Sequence, residues 1–441
     1  MTTAVISPAI KFKAFDTNGA LLSGGLVYTY VSGSSTLQTT YTSTTGITAN
    51  TNPVVLNSVG EADIYLDSTK VYRFVVKTSA GVTLNTVDNI TGASGSTTSG
   101  SAGSPGGINI LGYGADPLGV LDSTTAIRSA MAAASTAKTY IYAPAGTYKI
   151  TGSLSNASAP DCMGIVGETS TTTVFNGSTL AVDGIVFNNP PEGARFEHFR
   201  ITGPGQAAAV TARGVSLTVD GLGLGISFQV VMTNVIADLW PTAGFYWMLP
   251  IVSTYTNLVA QECGAYGFFI DIRVSPYVGG TSTQFNSCYA NNVLGTGYYI
   301  KSHGYTLLSS CAADNCNISY HLENCFGTSI VGGGSEVNTY IDAARPGIAV
   351  KLTNSYGCSI DSIWTYNLPN VLSRQIVLVG SNYNNIKAIS GYTDNGISPA
   401  YNAEVDVNSN GNVFIANTAT LNATGFVSPT FTIHDLGIDT L

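Results

Sequence analysis

The chain has 441 residues, a net charge of −9 and a pI near 4.8, so it lacks the basic stripe that a nucleic-acid surface needs. Only 10% of its residues are charged, while Gly (49) and Tyr (24) are abundant, a balance that suits a rod faced with Ser, Thr, Asn and Tyr. Neither a membrane span nor a secretory signal is visible, and residues 1–15 contain no long apolar core.

Residues 1–91 read as a compact all-β module. Strand-like runs cover Ile10–Phe15, Leu26–Val31, Val54–Leu56, Ala62–Leu66 and Val71–Lys77, with Gly, Asn and Ser turns between them. The ordered features are Phe15-Asp16-Thr17-Asn18-Gly19, then Gly24-Gly25-Leu26-Val27-Tyr28-Thr29-Tyr30. Asn52-Pro53-Val54-Val55-Leu56, Gly60-Glu61-Ala62-Asp63-Ile64-Tyr65-Leu66, Tyr72-Arg73-Phe74 and Thr86-Val87-Asp88-Asn89-Ile90 follow. This series resembles the N-terminal virion-attachment domain of tailed-phage tail fibres and tailspikes. The resemblance implies that the module binds a tail or adaptor protein. Residues 92–107, almost all Gly, Ser, Ala and Thr, read as a linker.

A second pattern opens at Ile108. Tyr113-Gly114-Ala115-Asp116, Gly119 and Asp122 precede the best helical run in the chain, Ser123 to Thr136, with Asp122 or Ser123 as N-cap. Tyr140 to Ile150 then reads as strand, turn and strand. Residues 108–158 resemble the opening of the pectate-lyase-like right-handed β-helices of phage tailspikes, in which the helix covers the first coil. An uncovered coil would expose strand edges and an apolar end. Asp116 and Asp122 read as turn and cap residues rather than as catalytic acids.

From 159 to 425 the sequence repeats. Tetrapeptides begin at Gly184, Gly214, Gly244, Gly267, Gly297, Ser319, Gly347 and Gln375, at intervals of 30, 30, 23, 30, 22, 28 and 28 residues. Apart from the degenerate last unit at Gln375, each has a small, turn-permitting first residue, with apolar residues at positions two and four. A strand-only period of this length predicts a parallel β-helix. Cys263, Cys288 and Cys311 recur near the period and read as small buried side chains of neighbouring coils. No C-x-x-C pair or zinc spacing occurs among the seven cysteines, which suits folding in a reducing cytosol. Residues 426–441 no longer fit the repeat and read as a C-terminal cap or tail.

Side chains on a strand alternate faces, so the third position of each tetrapeptide points outward. Tyr246, Phe269, Tyr299 and His321 then form a contiguous outward row, either a subunit interface or a sugar-stacking platform. Trp364 and Tyr366, near Asp361, offer a second such spot. The fifth position predicts a charge ladder of Asp271, Lys301, Glu323 and Lys351. Five residues before successive tetrapeptides stand Glu262, Asn292, Asp314 and Asp342. Of these, Asp314 and Asp342 are the candidate catalytic pair, because glycoside hydrolysis requires two carboxylates. Gly332-Gly333-Gly334 lacks the Lys-Ser/Thr of a phosphate loop, and the histidines show no metal spacing, so neither cofactor nor metal is expected.

The fold expected is all-β: a β-sandwich-like attachment domain followed by a right-handed parallel β-helix with a short capping helix. The resemblance further implies a homotrimer on the virion tail, assembled in the host cytoplasm, that engages bacterial surface polysaccharide. Without a tight acidic cluster, the reading favours binding. The alternatives are a polysaccharide depolymerase (hydrolase or lyase) and a purely structural fibre.

Overall fold

The computed structural model describes residues 4–6, 11–43, 46–67, 70–91, 106–219, 227–272, 279–336, 347–367, 374–393, 403–406, 408–416 and 432–435. Contacts divide the chain into two units, Met1–Gly103 and Ser104–Leu441.

The first unit is built on a four-stranded antiparallel sheet, in the order Val54–Val55, Leu26–Val31, Val71–Lys77, Thr83–Thr91. Its alternating apolar residues meet Leu56, Ile64 and Leu66, so that Val27, Tyr72 and Phe74 are enclosed. Asn52 ties the sheet to its flanking loop. Its amide nitrogen donates to the Thr29 carbonyl (2.7 Å), and its oxygen accepts from the Thr29 N–H (3.2 Å). Of the 92–107 linker, residues 92–105 lie outside the described residues.

The second unit opens with the helix Thr124–Ala137, one residue downstream of the sequence expectation at each end. Ile127, Ala130, Met131 and Ala134 form its buried stripe over the end of the core. Its entry is held by Asp122, whose carboxylate accepts from the Thr124 N–H (3.0 Å) and hydroxyl (2.6 Å). Asp116 accepts from the N–H groups of Leu118, Val120 and Leu121 at 3.0, 2.9 and 2.7 Å. Both carboxylates therefore have the turn and cap roles that their spacing predicts.

Behind the helix the chain winds as a right-handed parallel β-helix of about nine turns. Three walls face a single lumen. The first is a ten-stranded parallel sheet that includes Arg213–Thr218, Ala243–Met248, Tyr266–Asp271, Thr296–Lys301, Ile318–Glu323 and Ile348–Thr353. Strands such as Thr254–Thr256, Gln284–Asn286 and Leu307–Ser309 form the second wall. The third stacks Ile236–Asp238, Val259–Gln261, Tyr289–Asn291, Ala312–Asp314 and Gly334–Glu336. Many corners turn through a left-handed residue, and Asn257, Asn292, Asn315, Asn324 and Asn354 are among them. Asn tolerates that conformation better than most side chains do.

The walls fill the lumen unequally. Phe245, Phe268, Tyr298 and Tyr320 stack inside the first wall with centroids 5.1, 4.7 and 5.2 Å apart. Opposite them the third wall presents only Ala237, Ala260, Ala290, Ala313 and Ser335. These small residues leave room for the tyrosines to cross. The Tyr298 hydroxyl donates to the Ala312 carbonyl (3.2 Å), and the Tyr320 hydroxyl reaches the Cys311 and Gly334 carbonyls (2.7 and 2.9 Å). Gly244 serves the same close packing rather than a turn. It lies inside a strand, and a Cβ there would come within 3.1 Å of Ala260 Cβ and Cys263 Sγ.

Toward the C-terminal end the filling becomes polar. Thr283, Thr306, Thr328, Cys358, Asn384 and Asn412 follow one another along an inner corner, all buried. The Asn384 amide donates to the Ser355 carbonyl (3.1 Å) and to Asn412 Oδ1 (3.0 Å), while its oxygen accepts from the Cys358 N–H (2.9 Å). All seven cysteines are free and buried. Cys288 and Cys311 do occupy one file, but Cys263 belongs to a different corner, where its own carbonyl accepts from the Leu294 N–H. Residues Thr432–Asp435 pair in parallel with Val413–Ala416, so the stack continues where the sequence repeat fades.

Candidate functional site

On the outer face of the first wall, strand register aligns Tyr246, Phe269, Tyr299 and His321 as the alternation predicts. Successive ring centroids are 5.3, 5.0 and 4.8 Å apart. Tyr266 flanks the row, stacked 5.3 Å from Tyr299. The row is not bare. Tyr246 is only 6% exposed because the Arg213 guanidinium lies 3.7 Å above its ring, and the other three are half-buried against one another. Arg213 is held in turn by Asp183 at 3.8 Å.

After His321 the sequence reading slips by two residues. His321 pairs with Lys351, not with Ala349, so the row ends in a cation. Lys351 consequently leaves the charge ladder, and Thr353 stands in its place beside Glu323. The remaining ladder residues share a file, in which Lys301 Nζ lies 3.9 Å from Glu323 Oε1. Both carboxylates also serve the aromatic row. The Tyr246 hydroxyl donates to Asp271 (3.1 Å), and the Tyr299 hydroxyl donates to Glu323. Burial above all, then the Lys351 charge, lowers the pKa of His321 to about 4, so its ring is neutral at pH 7.

The third wall corrects the acidic column. Its outward file reads Asp238, Gln261, Asn291, Asp314, Glu336. Glu262 and Asn292 stand one residue further on, in the left-handed corners. Asp314 therefore has Glu336 as its neighbour in the adjacent coil. Asp342 lies outside the described residues. The Tyr289 hydroxyl donates to Asp314 Oδ2 (2.7 Å), and Asp314 Oδ1 is buried with no hydrogen-bond partner among the described residues. Burial raises the Asp314 pKa above the usual carboxylate range. The same cause, followed by the Asp314 charge, raises Glu336. Adjacent coils are spaced about 4.8 Å apart, which brings two such carboxylates near the roughly 5–5.5 Å of a retaining glycosidase pair. A proton held by one of them would make an acid beside a base.

Two residues along the outer file, Tyr289, Ala312, Gly334 and Trp364 align. Trp364 is 44% exposed, above the small Gly334 and on the face that carries Glu336. Tyr366 pairs with Glu336 through its backbone, and its side chain lies outside the described residues. Sequence reasoning missed Glu336 and Tyr289. The period-two alternation around a small inward residue (Ala290, Ala313, Ser335) is the signal that marks them.

Residues 107–321 match the family model described as rhamnogalacturonase A/epimerase, pectate lyase-like. The body has a right-handed parallel β-helix fold. This β-helix is similar to the A-module of mannuronan C-5 epimerase AlgE6 from Azotobacter vinelandii, at 15% identity and a TM-score of 0.55. That match covers 74% of this chain and 97% of the other. Full-length tailspike protein 2 from an Escherichia coli O157:H7 bacteriophage shares 13% identity with a TM-score of 0.54, over 97% of this chain and 54% of that one. The enzymatically active domain of bacteriophage CBA120 tailspike protein 2 gives 11% and 0.54, over 74% of this chain and 51% of that one. The chain thus spans about half the length of these tailspikes. No curated protein matches it in sequence.

Proposed function

We propose that this chain is a tail fibre or tailspike of a tailed phage that engages bacterial surface polysaccharide through its β-helix. The observation that carries the reading is the outward row of half-buried Phe269, Tyr299 and His321, which Tyr246 continues beneath Arg213, with hydroxyl-bonded carboxylates beside it. Aromatic faces take the apolar face of a sugar ring, while neighbouring charges and amides bind its hydroxyls. The fold shared with a phage tailspike and with a polysaccharide-modifying epimerase supports it. Residues 1–91 attach the chain to the virion tail, and three copies assemble in the host cytoplasm, where three weak sites gain avidity through effective concentration.

Asp314 beside Glu336 favours a second reading, in which the same protein cuts the polysaccharide it binds. The experiment is to mix the purified protein with envelope polysaccharide from a phage-sensitive host and to measure oligosaccharide release and cell binding. Cell binding without release establishes an adhesin, whereas release abolished by Asp314→Asn establishes a depolymerase. If the protein neither binds cells nor releases sugar, the polysaccharide reading falls and a structural fibre remains.

A further inference from the structure

A different edge of the body carries a second set of rings. The corner between the first and second walls passes through segments 302–306, 324–328, 354–358 and 380–384 in successive coils. Here Tyr305, Tyr356 and Tyr383 are 63%, 55% and 73% exposed. Phe326 lies between the first two, edge-on to Tyr305 at 5.2 Å and stacked on Tyr356 at 5.7 Å. Tyr383 continues the edge one coil further on.

The backbone is arranged to present these rings. Tyr305 and Tyr383 both adopt the left-handed conformation, with φ of 52° and 56°, which is costly for a bulky side chain. Glycines clear the space they occupy. A Cβ on Gly327 would come within 2.9 Å of the Tyr305 ring, and one on Gly411 within 2.6 Å of the Tyr383 ring. None of these three tyrosines fills the core, so core packing does not account for the strain.

We propose that this edge is a stacking platform for an uncharged polysaccharide, one sugar ring on each exposed tyrosine. The inference rests on the polysaccharide reading above but names a separate surface and a class of polymer. Charge favours it, because the four corner segments contain no Asp, Glu, Lys or Arg, and their one His, His303, is buried. Exposed amides of Asn324 and Asn354 border the rings and match a neutral, hydroxyl-rich chain. Area argues against a second copy of this chain. Three tyrosines exposed by about two-thirds offer roughly 400 Å², about half of what one partner gives to a standard protein interface. A linear polymer needs only the single file of rings that the edge provides.

The test is electrophoretic retardation of the full chain in native gels cast with dextran, galactomannan or a β-glucan, with alginate as the charged comparison. The triple variant Tyr305→Ala/Tyr356→Ala/Tyr383→Ala changes only exposed side chains, and circular dichroism confirms its fold. Retardation by at least one neutral polymer that weakens about tenfold or more in the triple variant, with smaller retardation by alginate, is the expected result. Equal retardation of variant and parent overturns the platform while leaving the polysaccharide reading intact. Absence of retardation by all four polymers also overturns the platform, while the polysaccharide reading itself is decided by binding to phage-sensitive cells. A triple variant that sediments as a smaller species than the parent overturns the glycan assignment in favour of an interface between copies.

Discussion

Asp314 and Glu336 occupy equivalent positions in successive coils, and the Tyr289 hydroxyl donates to the first of them at 2.7 Å. Both carboxyls are shifted upward by burial. In the window between the unfolded and folded values the native state binds more protons than the unfolded one. Stability contributed by these groups therefore falls as pH rises from the ordinary carboxylate range toward the folded values. Melting temperatures of parent and Asp314→Asn, compared across pH 4–7, should differ by this declining component, which the variant lacks. If the pair is catalytic, Asp314→Asn and Glu336→Gln should each lower oligosaccharide release by about 100-fold or more with the assembly intact.

His303 works in the opposite direction. It is enclosed between the Pro250 carbonyl, 2.9 Å from Nε2, and the Thr306 hydroxyl, 2.6 Å from Nδ1. Burial depresses its pKa to about 4. Its neutral form contributes stability that is fully present above the usual histidine value of about 6.5 and is lost as pH falls toward 4. A His303→Gln variant should show a flatter dependence of melting temperature over that interval, whatever its stability at pH 8.

Lys351 offers a direct check of strand register. Placed above His321, it helps burial to keep that ring neutral. In Lys351→Ala the His321 pKa, followed by NMR titration of its ring protons, should rise. The expected placement of Ala349 above His321 would leave it unchanged.

Trp247 stacks on Tyr255 at 4.3 Å and 10° in the middle of the lumen, and both are fully buried. Trp247→Ala should cost about 3–5 kcal/mol, read from the shift in denaturant midpoint. The Asn384→Ala variant, which strips three hydrogen bonds from a buried corner, should cost about 1–3 kcal/mol.

The walls differ in how plainly the sequence displays them. On the first wall, large apolar residues alternate with outward ones from Phe245 to Leu322, so strand, face and neighbours are all readable. The reading fails at Ile348 because Ile348, Val350 and Leu352 all alternate. A slip of two residues keeps every side chain on its proper face, so the pattern does not penalise it. Third-wall strands are three residues long with Ala or Ser at the centre, which gives almost no hydrophobic signal. That is why the corner residue Glu262 stood out and Glu336 did not. The aromatic edge was hidden for another reason, since its rings sit in turns, where neither helix nor strand periodicity applies.

The change of lumen filling along the axis gives the body a polarity in resistance. Near the helix the coils enclose Phe175, Phe187, Phe196 and Trp240, whereas the far coils enclose Ser381, Asn384, Ser409 and Asn412. Amides and hydroxyls recover in water most of what they gain from one another in the lumen, while phenyl and indole rings do not. Heat, denaturant or a pulling force should therefore strip the body coil by coil from its C-terminal end, with the helix-capped end the last to yield.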